Sequence, residues 1–429
     1  MNMRIMGNIK VLCIGDVHLG RPSSRMVLEA AQTDSDFPSP RDTLTQTTIR
    51  AQRLAVDVVV FSGDVVDQSN AHFEAFGALS NVVKMLAQAG IKVYAVAGNH
   101  DYEVLEKLAA TIPEFRLLGA DGSWEEEVLT LRESKLRIQG KSFTKRHSPD
   151  DPVADYTPPQ DTIPTLALLH CDLGGDSNYA PVSLSQLESK APSAWVLGHI
   201  HKPVLLKDDP LIFYPGTLHP LDSTETGPHG PWLLEIDPSG KASAKMIALA
   251  PLRYEYLRIS LDGCDSVAEA RTRITKDLSS WREEHLAELE DVQTISLRLS
   301  LTGHTAIFSE LPLLCQELEE NSEELMPGLQ IEKIMQNCRP QVPLQTLAAG
   351  QDPAGLIARK LLILEQRLPQ HDYTELLAAG RRHILAALQQ ADLPHEFNSN
   401  LEDPEVASVL DQAAASLLNL LLSQKEQSA

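Results

Sequence analysis

The chain has 429 residues, of which 43% are hydrophobic, 5% aromatic and 22% charged, with a formal net charge of −22. That composition belongs to a globular protein of two or three domains, and so acidic a chain is a poor general binder of nucleic acid, because phosphate contacts need cationic groups. Five widely spaced cysteines without a CxxC pair exclude a disulfide framework and a structural zinc site, and the lack of a run of about eighteen apolar residues predicts no membrane span.

Taken in order, residues 1–250 alternate strands with helices. The opening MNMRIMGNIKVLCIGD holds an apolar run that meets Asp16 instead of a cleavage site. It reads as a first buried strand over 10–15, in a chain expected to be cytoplasmic. A helix is predicted over 43–56 and a β-branched strand, DVVVFS, over 57–62. Phe73, Phe76, Leu79, Val83 and Leu86 repeat at helical spacing within 71–89, and Gly90 stops that helix. Further strands are predicted over 92–97, 136–140, 165–169, 194–197, 211–214 and 232–236. Such an order implies an α/β layered domain with buried sheets. Two stretches rich in Pro, Ser and Asp, 21–42 and 144–164, read as irregular surface loops.

Beyond residue 250 the pattern changes to strand 254–261, helix 266–290, strand 294–301 and helix 306–321, a small α+β domain over 251–340. Residues 341–429 read as helical, with a break at 392–404 and a broad apolar face over 405–422.

Five motifs follow predicted strands, and each supplies hard or borderline ligands. They are G-D-V-H (Asp16, His18), S-G-D-V-V-D (Asp64, Asp67), G-N-H-D (Asn99, His100, Asp101), L-L-H-C-D (His170) and G-H-I-H (His199, His201). Strand C-terminal edges are where open α/β folds place their sites. The glycines before Asp16, Asp64, Asn99 and His199 permit sharp turns and close backbone approach. Taken singly, each motif has a bland reading as a turn residue, a helix cap or a satisfied core histidine. Together, in order and each after an apolar run, they point to a metal centre. Imidazole mixed with carboxylate suits Mn²⁺, Fe²⁺ or Zn²⁺.

This ordered set resembles the calcineurin-like metallophosphoesterase superfamily. Within it the chain is similar to the SbcD/YhaO-type DNA-repair exonuclease branch, through its G-D-V-H-L-G-R-P start, GHIHKP at 198–203, YPGT at 214–217 and ETGPHG at 225–230. The resemblance implies a layered β-sandwich flanked by helices, a small α+β capping domain and C-terminal helices. It implies one metal held by Asp16, His18, Asp64 and His201 and a second by Asp64, Asn99, His170 and His199, with Asp64 bridging. Manganese is the expected ion. His100 would be the catalytic non-ligand, contacting the phosphate and protonating the leaving oxygen, and Asp67 and Asp101 would orient it. Asn99, His100 and Tyr214 are the candidate substrate contacts. Expected partners are DNA, an SbcC-type SMC-like ATPase docked on the terminal helices, and a second copy of the chain, with no membrane.

Three functions stay open on the residues. They are a Mn²⁺-dependent DNA exonuclease with single-strand endonuclease activity, a general phosphodiesterase or phosphatase acting on small phosphoesters, and a non-catalytic adaptor. Arg21, Arg25, Lys141, Lys145, Arg146 and Lys202 are candidates for a local cationic groove. His72, His147, His219 and His229 are expected to be exposed to solvent.

Overall fold

The computed structural model describes residues 8–21, 38–67, 72–131, 134–174, 177–341, 343–390 and 402–427. They divide into two compact units: Met1–Glu255 with Glu284–Ser296, and Tyr256–Glu283 with Leu297–Ala429. The second unit therefore draws on both segments that the sequence divides at 340.

In chain order the strands of the first unit are β1 (Ile9–Ile14), β2 (Val58–Phe61), β3 (Lys92–Ala95), β4 (Phe115–Leu117), β5 (Glu125–Leu131), β6 (Ser134–Lys141), β7 (Thr165–His170), β8 (Asp172–Leu173), β9 (Pro181–Val182), β10 (Ala194–Gly198), β11 (Val204–Asp208), β12 (Leu211–Tyr214), β13 (Trp232–Ile236) and β14 (Ala242–Met246). Its helices are α1 (Pro40–Leu54), α2 (His72–Gln88), α3 (Tyr102–Thr111) and α4 (Leu184–Lys190). Two six-stranded sheets result, ordered β14-β13-β1-β2-β3-β4 and β11-β12-β10-β7-β6-β5.

Strands β1 to β4 are mutually parallel, as are β6, β7, β10 and β12. The antiparallel pairings of β13 with β1, β14 with β13, β5 with β6 and β11 with β12 complete the sheets. Both faces of β2 are buried, which explains its unbroken β-branched run. Val58 and Val60 face the second sheet, packing with Leu136, Ile138, Leu166, Leu168, Val196 and Phe213. Val59 and Phe61, at the alternate positions, meet Leu44, Leu79, Val83 and Leu105 of the helical layer. The layered sandwich expected from the sequence is the fold observed.

Several local departures have physical causes. Helix α1 starts at Pro40, earlier than expected, because Ser39 forms a capping box with Asp42 and proline suits the first turn. The 144–164 stretch is irregular but does not merely lie on the surface: Val153 and Tyr156 are buried over the outer face of the second sheet. Strands β5, β11 and β14 were not predicted, because they are half-exposed strands whose polar residues interrupt the apolar pattern.

The three-stranded sheet β15 (Leu252–Ser260), β16 (Thr294–Thr305) and β17 (Leu329–Pro340), in that order, belongs mostly to the second unit, residues 252–255 and 294–296 falling in the first. With it go α5 (Val267–Glu284), α6 (Leu311–Glu320), α7 (Ser322–Leu325), α8 (Leu344–Ala348), α9 (Pro353–Gln366), α10 (Gln370–Gln390) and α11 (Asp403–Gln427). Arg339 of β17 pairs with Glu365 and Asp411, tying the sheet to α9 and α11. The 403–422 stretch of α11 is, by length and composition, apolar enough to cross a membrane, against the expectation of no such span. Two of its residues are packing residues: Leu418 is buried with Ala354 and Leu361, and Val406 with Leu364 and Leu377.

Candidate metal centre

The five motif loops meet at the C-terminal ends of β1, β2, β3, β7 and β10. Backbone hydrogen bonds lock them together: the amides of Val17 and His18 both donate to the Asp64 carbonyl, at 3.0 and 2.9 Å. His18, Asp64 and His199 all adopt positive φ, at 51°, 48° and 97°. Non-glycine residues take that conformation only where the surroundings enforce it, and functional sites are where such strain collects. Two glycines supply the space. A Cβ on Gly98 would overlap the Asp64 carboxylate, and one on Gly198 would overlap the Ser62 carbonyl and the His170 ring.

All seven expected ligands lie together. Asp16, His18, Asp64, Asn99 and His170 are buried, and His199 and His201 are half-buried. The Asp64 Oδ2 atom lies 3.5 Å from His170 Nε2 and 3.9 Å from His18 Nε2. Asn99 Oδ1 is 3.0 Å from His170 Nε2 and 3.2 Å from His199 Nδ1. His18 Nε2 and His201 Nε2 are 3.3 Å apart. Two carboxylate–imidazole groups are close enough to share an ion: Asp16 with His18 and His201, and Asp16 with Asp64 and His170. Asp16 is common to both, and Asp64 reaches histidines of both, as a bridging group must.

The donor chemistry fits a cation. The His170 Nδ1 proton goes to the Ser62 carbonyl at 3.1 Å, so the Nε2 of the neutral ring carries a lone pair. That lone pair faces the Asn99 and Asp64 oxygens, an unfavourable meeting of acceptors unless positive charge lies between them. His201 repeats the pattern. Its Nδ1 donates to Glu225 at 2.7 Å and its Nε2 faces that of His18. The buried Nδ1 of His18 has no hydrogen-bond partner among the described residues.

Titration behaviour points the same way. Burial pushes the Asp16 carboxyl up to about 6, against the opposing pull of His201. Burial and then the neighbouring Asp101 and Asp16 carboxylates raise Asp64 well above the usual carboxylate range. Burial holds His18 and His170 neutral, with the other site imidazoles adding to the effect. Buried carboxylates beside neutral imidazoles are a donor set that suits a cation.

His100 stands at the rim, with 37% of its side chain exposed, its Nδ1 3.9 Å from Asp67 Oδ1 and its ring 5.1 Å from that of His18. Burial lowers its pKa, Asp67 opposes that, and the Arg146 and Arg21 charges lower it further. Asp101 does not serve His100. Its carboxylate accepts the amides of Gly98 at 2.8 Å, Val65 at 2.7 Å and Val66 at 3.4 Å. Tyr214, expected at the substrate, lies in the core instead: it is 1% exposed and its hydroxyl donates to the Cys171 carbonyl at 3.0 Å. β12 ends beside the site but turns this side chain to the outer face of its sheet. His219 and His229 are buried, not solvent-exposed as expected, while His147 is exposed. The His72 side chain and all of Arg25 lie outside the described residues.

Residues 9–203 match the family model of the calcineurin-like phosphoesterases. The chain is 29% identical over 191 residues to the uncharacterized metallophosphoesterase YhaO of Bacillus subtilis, covering 43% of this chain and 47% of that one. It is 28% identical over 307 residues to the DNA double-strand break repair protein Mre11 of Aeropyrum pernix, covering 65% of this chain and 71% of that one. A dimetal phosphatase from Danio rerio aligns over 56% of this chain and 99% of its own, at 13% identity and a TM-score of 0.35.

Proposed function

Residues 9–203 are a calcineurin-like metallophosphoesterase domain, and from that premise we propose that the chain hydrolyses phosphodiester bonds in DNA. In this reading it is a Mn²⁺-dependent 3′–5′ exonuclease of DNA repair, working with an SbcC-type SMC-like ATPase. The supporting observation is the reach of the similarity to Mre11, 307 residues, well past the phosphoesterase match.

Asp16, His18, Asp64, Asn99, His170, His199 and His201 would hold two divalent ions. When bound, such ions supply positive charge at the phosphate and acidify water beside it. The chain's own part is positional. Burial keeps the His18 and His170 rings neutral and so ready to bind, and the strained loops fix the donors before substrate arrives. His100, outside this set and partly exposed, would hand a proton to the leaving oxygen, with the Asp67 carboxylate partly offsetting the burial that lowers its pKa.

The test is a Mn²⁺-dependent assay of labelled single-stranded and duplex DNA beside bis-p-nitrophenyl phosphate. Cleavage of DNA is expected, with a loss of roughly 10²–10⁴-fold in His100→Ala while metal binding is kept. Cleavage of the small diester alone overturns the nuclease reading. It would favour the alternative, a phosphodiesterase or phosphatase for nucleotides, which the net charge of −22 also favours.

A further inference from the structure

We propose that Glu225 is a positioning residue of the metal centre, fixing the His201 ring in the one tautomer that presents a lone pair to an ion. The inference rests on the two-metal reading of the site. Glu225 sits in the ETGPHG stretch, and its side chain is 7% exposed. Its Oε1 accepts the His201 Nδ1 proton at 2.7 Å. Its Oε2 accepts the Thr217 hydroxyl at 2.8 Å and the Leu221 amide at 2.9 Å. A carboxylate has no proton to give, so three donors converge on it and each bond runs one way. The neutral His201 ring is thereby protonated on Nδ1 and bare on Nε2, the atom that faces His18 Nε2 at 3.3 Å.

The carboxylate is itself held rigidly. The Thr217 amide donates to the His201 carbonyl at 2.8 Å, and the next amide, Leu218, donates to the Asp16 carbonyl at 3.1 Å. The segment whose Thr217 hydroxyl holds the orienting carboxylate is therefore pinned to the backbone of both Asp16 and His201. Outer partners of this kind set ligand orientation and basicity, and their loss costs roughly 10–100-fold in metal affinity. A glutamine cannot replace Glu225. It offers one accepting oxygen where both the His201 proton and the Leu221 amide demand an acceptor on opposite sides of the group.

The competing role is mere loop packing, which would lower stability and leave metal affinity unchanged. The full chain, wild type and Glu225→Gln, is titrated with Mn²⁺ by calorimetry and electron paramagnetic resonance. Two ions are expected in the wild type, and one of them is expected to weaken roughly 10–100-fold in Glu225→Gln. Thr217→Val, which keeps the Glu225–His201 bond, should weaken it less. Independently of any variant's folding, nitrogen-15 spectra of the wild-type histidines should show His201 protonated on Nδ1. Equal affinity for both ions in Glu225→Gln overturns the proposal, and so does an Nε2-protonated His201. A wild type that binds no metal overturns the two-metal reading itself.

Discussion

His219 shows how one buried side chain can set the acid limit of the fold. Its Nδ1 donates to the Thr43 hydroxyl oxygen at 2.8 Å, the Thr43 proton going to the Ser39 carbonyl at 3.2 Å. The ring is 0% exposed and its Nε2 has no partner among the described residues. Burial, then the nearby His229, push its pKa down to about 3. A depressed histidine is protonated more readily in the unfolded chain. Its contribution to stability is therefore complete above about pH 6.5 and is lost as pH falls toward 3. At pH 4.5 the loss is about 2–3 kcal/mol. His219→Asn, which keeps a donor for Thr43, should flatten urea stability between pH 7 and 4.5; an unchanged slope refutes the assignment. Nothing in the local sequence announces this burial. Prolines, serines and threonines around His219 read as a solvated loop, and only the clamping of that loop onto Asp16 and His201 takes it out of water.

At the scale of elements, Asp101 staples the loop after β2 to the loop after β3. Both loops carry site residues, so the staple aligns Asp64 with Asn99 before any ligand is involved. Asp101→Ala leaves the buried amides of Gly98 and Val65 without their acceptor. The expected cost is about 2–4 kcal/mol, read as a lower urea midpoint, with weaker Mn²⁺ binding alongside. A midpoint within error of the wild type would show that water or backbone takes over those amides. The resemblance implies that Asp101 orients His100, its neighbour in sequence. In the structure the helix that begins at Tyr102 turns the carboxylate inward, a direction that no motif encodes. The motif-bearing strands were legible because they are buried on both faces and read as continuous apolar runs. Strand β5, with Glu125, Glu126 and Glu127 in a row, was not, since an edge strand needs no such run. Of the site, its donors were legible. Glu225 was not singled out, because an orienting group is recognised by the ring it touches and the spacing of ligands says nothing of it.

For the whole molecule, a metal centre in the native state alone makes stability depend on ion concentration. Mn²⁺ at a hundred times its dissociation constant should add about 2.7 kcal/mol, raising the melting temperature in a manner that a chelator reverses. No shift with Mn²⁺, Fe²⁺ or Zn²⁺ would count against the centre. The first unit, which contains it, has an unusual relation to the chain. The chain leaves that unit at Glu255 and returns to it for Glu284–Ser296. The returning stretch brings Asp291 to Arg50 at 2.8 Å and Glu288 to the nearly buried Arg253 at 2.9 Å. A chain ended at residue 255 would thus keep every candidate ligand and still lack part of the body that holds them. The phosphoesterase match stops earlier still, at 203, before Glu225 and before β13, the strand hydrogen-bonded to β1. The compact body that carries this centre is longer than the stretch recognisable by family, and it is not one continuous segment.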